Sequence, residues 1–172
     1  MEKTTCLSTL TLLVIKELRL ERMVHSASMA DKVGKSPSAW AKIETGKSSF
    51  PMDSLFQAAS ALWTPPSFII SAAERYSGLL GQNGWGILHS SISVEEDDLL
   101  NEAQKYYNSP GFKRKSHRQN IQFAYSNSMI SVLNSPIFNL DGSIQLIDLF
   151  RFVLDESFKA EQLSEYRQSL IL

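Results

Sequence analysis

The sequence predicts an all-α protein, with an N-terminal domain of five short helices followed by a mainly helical C-terminal domain. Apolar residues recur at helical spacing along most of the 172 residues, and residues typical of helix caps precede many of these stretches. Four of the eight glycines fall within nine residues, which indicates a change of organisation. We therefore predict a domain at 1–77, a glycine-rich connection at 78–92 and a second domain at 93–172.

The first three helices follow from local patterns. Apolar residues between 7 and 23 repeat every three or four positions, and a short second helix fits 26–33. Gly34 ends that helix because glycine adopts a positive φ at little cost. Ser36 is a good N-cap for the third helix, and Pro37 suits its first position, where no N–H donor is needed.

Two more helices complete the predicted N-terminal domain. The stretch "LFQAASAL" places its apolar residues on one side of a helix, at Leu55, Ala58, Ala59 and Leu62. Thr64 is then predicted to cap a fifth helix in which Phe68, Ile69 and Ala72 pack.

The second half also has a helical pattern. Ser93 is predicted to cap a helix over "SVEEDDLLNEAQKYY", whose acidic first turn suits the positive end of the helix dipole. A further helix has one apolar stripe and ends before Pro136; the stripe consists of Ile121, Tyr125, Met129 and Val132. A strongly apolar helix is predicted after Asp141, although the Asp-Gly pair there also permits a β-hairpin.

Composition excludes several classes of protein. Cys6 is the one cysteine and rules out an internal disulfide, so we expect a free thiol and a cytoplasmic protein. The scattered histidines have no metal-ligand spacing, no motif indicates an enzyme, and no cofactor is expected. No apolar run reaches membrane-spanning length. The net charge is −1, yet residues 1–50 carry eight Lys or Arg against five acids, a balance of +3.

The run "IKELRLERMVHSASMADKVGKSPSAWAKIETGK" resembles the Xre-type helix-turn-helix domain of phage repressors and Cro proteins. Its second helix and turn match the pattern at Met29, Ala30, Val33 and Gly34, and "IETGK" matches the end of the third helix. The resemblance covers roughly residues 10–75 and implies a five-helix lambda-repressor-like fold. It also implies a partly buried structural ion pair between Arg19 and Glu44, and a core position for Trp40.

The resemblance further implies that the start of the third helix enters the major groove of DNA. Lys42 is the best candidate to read a base, at guanine N7 and O6, and Ser38 is second. Ala39 or Ala41 could contact a thymine methyl group, and Lys35 and Lys47 suit phosphate contacts. The full set of candidate DNA-binding residues is Ser26, Lys35, Ser36, Pro37, Ser38, Ala39, Ala41, Lys42 and Lys47. Here Ser26 stands where the family usually has a phosphate-binding glutamine.

Two features of the second half suggest partners. The cluster "FKRKSHR", which includes Lys113, Arg114, Lys115 and Arg118, could bind phosphate or pair with the acids of "EEDD". The helix predicted after Asp141 is apolar on almost all sides, through Ile144, Leu146, Ile147, Leu149, Phe150, Phe152, Val153 and Leu154. Because one short chain offers limited cover for such a helix, we expect a homodimer; burial by helices near 95–133 is the alternative.

These observations favour a sequence-specific transcriptional regulator, most simply a repressor, that binds double-stranded DNA as a homodimer through the helix at 36–45. A twofold dimer implies a palindromic operator with half-sites about 10 base pairs apart or a multiple of that. The competing hypothesis is a protein-interaction module, such as an antitoxin or a phage-encoded inhibitor, that carries this domain and captures a protein through its C-terminal half.

Overall fold

The computed structural model describes residues 2–121 and 130–165 of the chain. The described part is mainly helical, as predicted. The helices are α1 (Leu7–Glu21), α2 (Ser26–Lys32), α3 (Pro37–Glu44), α4 (Met52–Ala61), α5 (Pro66–Gln82), α6 (Asp98–Asn108), α7 (Pro110–Ile121), α8 (Asp148–Leu154) and α9 (Glu156–Leu163).

Short strands accompany these helices, and apart from the hairpin permitted near Asp141 the sequence did not predict them. Strand β1 (Thr4–Cys6) pairs in parallel with β2 (Gly86–Leu88), and β3 (Ile137–Phe138) pairs antiparallel with β4 (Ile144–Gln145). The β1–β2 pair joins the start of the chain to the segment that follows α5. Such a pairing depends on residues far apart in sequence, which helical periodicity cannot reveal.

Helix α1 lies at the centre of the fold. It packs along α5 and also contacts α3, and its apolar residues are almost completely buried. Helices α4 and α5 contact each other, and each buries two small side chains completely: Ala58 and Ala59 on α4, and Ala72 and Ala73 on α5. Small buried side chains leave room for neighbouring helices to pack closely. The prediction that Thr64 caps α5 was wrong. Its hydroxyl donates to the Leu62 carbonyl oxygen at 3.0 Å, and Pro65 occupies the N-cap position.

The predicted connection at 78–92 begins inside a helix. Residues 78–82 form the last turn of α5, and Gly84 then reverses the chain with a φ of +79°. Trp85 is buried, and the Lys3 ammonium lies 5.3 Å from the centre of its ring. One hydrophobic cluster contains buried residues from both halves of the described chain, so the segment is part of the packed structure.

Asp97 ties the start of α6 to the start of α1. Its carboxylate accepts hydrogen bonds from the hydroxyls of Thr5 at 2.8 Å and Thr9 at 2.5 Å, and from the Leu100 N–H at 3.0 Å. The N-cap of α6 is therefore Asp97, and the prediction of Ser93 was wrong. Ser93 instead donates to the Glu96 carboxylate in the preceding turn. Because the buried hydroxyls of Thr5 and Thr9 hydrogen-bond Asp97, this acid is held at the start of α6 and serves as its cap.

The region around Asp141 forms the hairpin that the sequence permitted, and the preferred long helix was wrong. Gly142 adopts a φ of +84° between β3 and β4, and α8 begins only at Asp148. Most of the apolar residues that led us to expect a homodimer are buried within the chain; these are Ile147, Leu149, Phe150, Phe152 and Val153. The Phe150 ring stacks on Tyr76 of α5 at 3.7 Å between ring centres. Their burial therefore has an explanation that needs no partner.

Helix α7 carries the described part of the basic cluster. Lys115 forms an ion pair with Asp148 at 2.6 Å, and Arg114 donates to the Ser164 carbonyl oxygen at 2.9 Å. Pairing with "EEDD" is thus not the arrangement found for these two residues. Arg118 and most of the predicted stripe at Ile121, Tyr125 and Met129 lie outside the part of the chain whose side chains are described, while Val132 is buried.

No helix within the described residues combines the length and the apolar character that crossing a membrane requires.

Candidate nucleic-acid interface

Helices α2 and α3 pack against each other and are joined by the four residues 33–36. Gly34 adopts a φ of +65°, and the Lys35 N–H donates to the Ala30 carbonyl oxygen at 2.9 Å. This closes the end of α2 and turns the chain directly into α3. Ala30, in the last turns of α2, has no solvent exposure.

The start of α3 is fixed by its own sequence. The Ser36 hydroxyl oxygen accepts a hydrogen bond from the Ala39 N–H at 3.2 Å, and Pro37 occupies the first turn. Both predictions for this helix start are confirmed. An N-terminal cap of this kind holds the first turn rigid while leaving its outer surface open to solvent.

Helix α3 has sharply different sides. Trp40, Ile43 and Glu44 are buried, so Trp40 is a core residue, as predicted, and is not available to stack on a base. The outer side presents exposed residues, which are Ser36, Pro37, Ser38, Ala41 and Lys42. Ala39 is half-buried between the two sides. A short helix anchored by an aromatic core residue and exposed at its N-terminal end is suited to enter a groove.

A buried ion pair joins the core-facing side of α3 to α1. Arg19 Nε lies 2.6 Å from Glu44 Oε1, and Arg19 Nη2 lies 3.1 Å from Glu44 Oε2, so the contact is bidentate. The two side chains are only 8% and 7% exposed. The remaining Arg19 donor reaches the Val24 carbonyl oxygen at 2.8 Å. The predicted pair is therefore present, and it fixes the end of α3 to α1.

The predicted DNA ligands differ in their availability. Lys42, the predicted base reader, and Lys47 are exposed, and Lys35 is half-buried beside the turn. Ser26, in contrast, directs its hydroxyl at Glu44 Oε2 at 3.4 Å. Because a hydroxyl has one proton to donate, the Ser26 side chain in this conformation offers no hydrogen bond to a phosphate. The local sequence could not show that a neighbouring helix supplies a competing acceptor.

The C-terminal half contacts the end of α3 directly, which sequence patterns had not indicated. Gln104 Nε2 donates to the Thr45 carbonyl oxygen at 3.2 Å. Gly46 has a φ of +73°, and a Cβ placed there would lie 2.3 Å from Leu100 Cδ2. The glycine therefore suits the backbone conformation, and any larger residue at 46 would also require the Leu100 side chain of α6 to shift. The sequence placed Gly46 directly after "IET", at the end of the third helix, but it could not show that α6 packs against it.

A second contact joins α1 to α6 next to the ion pair. The Tyr107 hydroxyl donates to Glu17 Oε1 at 2.6 Å, and the Lys16 ammonium lies 3.8 Å from the centre of the Tyr107 ring. Burial raises the pKa of Glu17 to about 6 and lowers the pKa of Lys16. The contact between α1 and α6 therefore contains a carboxyl group whose pKa is raised to about 6.

Within 2–121 and 130–165, no three His, Cys, Asp or Glu side chains are grouped so as to hold a metal ion. The chain matches no protein-family model, no curated protein and no solved structure.

Proposed function

We propose that this protein is a cytoplasmic, sequence-specific transcriptional regulator, a repressor of the Xre-like helix-turn-helix type, which binds double-stranded DNA through α3. One observation carries the proposal. The N-terminal side of α3 is exposed, while its opposite side is fixed by a fully buried Trp40 and a bidentate Arg19–Glu44 pair. A helix held rigidly in this way can enter the major groove without losing its own stability.

The exposed side chains suggest how the bases are read. Lys42 is exposed in the last turn of α3 and can donate to guanine N7 and O6 in the major groove. Ser38 lies in the first turn and can donate to or accept from a base edge. Ala41 is exposed and Ala39 only partly so, which makes Ala41 the better contact for a thymine methyl group.

Phosphate contacts flank this reading surface. Lys35 precedes α3 and Lys47 follows it, so the two lysines can bind the backbones on either side of the groove. Ser26 does not join them, because its hydroxyl is directed at Glu44. With few base-reading side chains per copy, useful affinity requires two copies on one duplex, and we therefore retain a homodimer on a palindromic operator.

The salt dependence of DNA binding tests the proposal. Fluorescence anisotropy with the full chain and DNA from upstream of its own gene, from 50 to 200 mM salt, should show a linear fall of log K with log salt. Lys47→Ala should make the slope shallower by about 0.9 per copy, because one phosphate contact is lost. Absence of binding at 50 mM salt for a folded protein contradicts the proposal.

Lys42→Ala tests base reading in the same assay. It should reduce the discrimination between the upstream DNA and random DNA by roughly 1–3 kcal/mol, which is the value of one good base contact. Lys113→Ala is the matched control, since Lys113 is an exposed lysine on α7 and even a phosphate contact from it would not distinguish one sequence from another. Equal loss of discrimination in both variants would place the reading surface elsewhere.

A further inference from the structure

Helix α4 exposes an apolar stripe on the side that faces away from the core. Met52 is 60% exposed and Phe56, one turn later, is 50% exposed. Trp63, which follows the end of the helix, is 89% exposed. Exposed aromatic residues that line a common groove are unusual on a protein that works alone. This stripe has no part in the proposed DNA contacts.

Phe56 and Trp63 line one shallow groove together with Ala61, Ser60, Gln57 and Lys32. Trp63 adopts a φ of +49°, a conformation that is strained for a bulky side chain and easy for glycine or asparagine. The Thr64 N–H donates to the Ala59 carbonyl oxygen at 3.0 Å across this helix end, a bond that any residue at 63 would permit. The exposed indole therefore contributes little to the packing of the described part of the chain.

We propose that this groove, defined by Lys32, Phe56, Ala61 and Trp63, is the surface through which two copies of the chain form a twofold dimer. The area is sufficient for the centre of such an interface. Full burial of an aromatic side chain removes 150–250 Å² from water, so the exposed parts of Phe56 and Trp63 represent on the order of 280 Å². A standard interface buries about 800 Å² per partner, with an apolar centre and a polar rim.

Charges of opposite sign flank the apolar centre. Lys32 borders the groove at the end of α2, and Asp53 lies three residues before Phe56 on an adjacent part of α4. Both are exposed, and neither forms an ion pair with any residue in the described chain. In a twofold dimer a contact of residue i with residue j is repeated as j with i. Lys32 of each copy can thus face Asp53 of the other, which makes the surface self-complementary.

The position of the groove fits the proposed function, on which this step rests. Lys32 is the last residue of α2 and directly precedes the turn into α3. Pairing at this groove holds two α2–α3 units close together, and the twofold axis relates their two α3 helices as a palindrome requires. The dimer we expected through the apolar residues of α8 is replaced here by one through α4.

The mass of the protein without DNA tests the interface. Sedimentation equilibrium at tens of micromolar should give a dimer for the wild type. Trp63→Asn should weaken the dimer at least about 30-fold, the effect expected of a central aromatic residue. Its melting temperature as a monomer should not fall, because asparagine tolerates the positive φ. Leu140→Asn is the control, since Leu140 is a fully exposed apolar residue in the β3–β4 turn.

A charge exchange provides a second test that does not depend on Trp63. Lys32→Asp and Asp53→Lys alone should each weaken the dimer by roughly twofold to fivefold, and the double variant should restore it. A monomeric wild type, an unchanged dimer in Trp63→Asn, or dissociation by Leu140→Asn overturns the inference. A monomer that binds DNA contradicts this inference and the homodimer of the proposed function but leaves α3 as the DNA-reading helix, while a Trp63-dependent dimer without DNA binding contradicts the DNA-binding role alone.

Discussion

Removing the buried cation beneath α3 should destabilise the protein far more than removing an exposed cation. In Arg19→Ala the Glu44 carboxylate remains buried, and among the described residues it keeps only the Ser26 hydroxyl as a hydrogen-bond donor, at 3.4 Å. The Val24 carbonyl oxygen also loses its side-chain donor. Breaking a buried pair by removing one partner costs about 3–5 kcal/mol. For a chain of this size that lowers the melting temperature by roughly 6–20 °C.

Thermal and urea unfolding followed by circular dichroism measure this loss. Arg22→Ala is the matched control, because Arg22 is exposed at the end of the same helix and should change stability by less than about 0.5 kcal/mol. Replacing both partners, as Arg19→Met with Glu44→Leu, should recover much of the loss, because no charge is then left buried. Equal unfolding free energies for Arg19→Ala and Arg22→Ala would refute this account of α3.

Further predictions concern the contacts between the two halves. The pKa of Glu17 is about 6 in the folded protein and 4.5 ordinarily, so ionising this carboxyl is harder in the folded state. The free energy of unfolding should therefore fall by about 2 kcal/mol as pH rises from below 4.5 to above 6. Urea unfolding at a series of pH values should show no such fall for Glu17→Gln, so the variant's free energy of unfolding should rise relative to the wild type's from pH 4.5 to 7.5. A difference between the two proteins that stays constant with pH contradicts this prediction. Gly46→Ala should destabilise by about 1–3 kcal/mol, because of its positive φ and the contact with Leu100. Gly78→Ala, in an open helical position, should stabilise by about 0.5–1 kcal/mol in the same melts, and the same sign for both glycines would be inconsistent with these environments.

The parts of the fold that sequence reasoning predicted are those set by neighbouring residues. The cap at Ser36, the proline that follows it and the positive φ of Gly34 each depend on a few adjacent positions. The family resemblance implied the core position of Trp40, and the side chain is buried. The Arg19–Glu44 pair spans a longer distance, and the family resemblance identified it where periodicity could not.

The parts that were missed depend on long-range contacts. Asp97 is the cap of α6 because Thr5 and Thr9 approach it from the other end of the chain. The residues that flank the Asp-Gly turn fit both a hairpin and a helix, because the two patterns cannot be told apart over so short a segment. The structure has the hairpin, in which β3 pairs with β4. The position of Phe56, off the apolar stripe of its own helix, predicts an exposed side chain. Local sequence alone could not assign it a partner.

Selection of DNA from a random library by the full chain, followed by sequencing, tests the central claim most directly. The account predicts enrichment of a palindrome with half-sites about 10 base pairs apart, or a multiple of that, and loss of preference at one position of each half-site in Lys42→Ala. Folded protein that enriches no sequence, or enriches the same one after Lys42→Ala, would contradict the assignment of α3 as the helix that reads DNA.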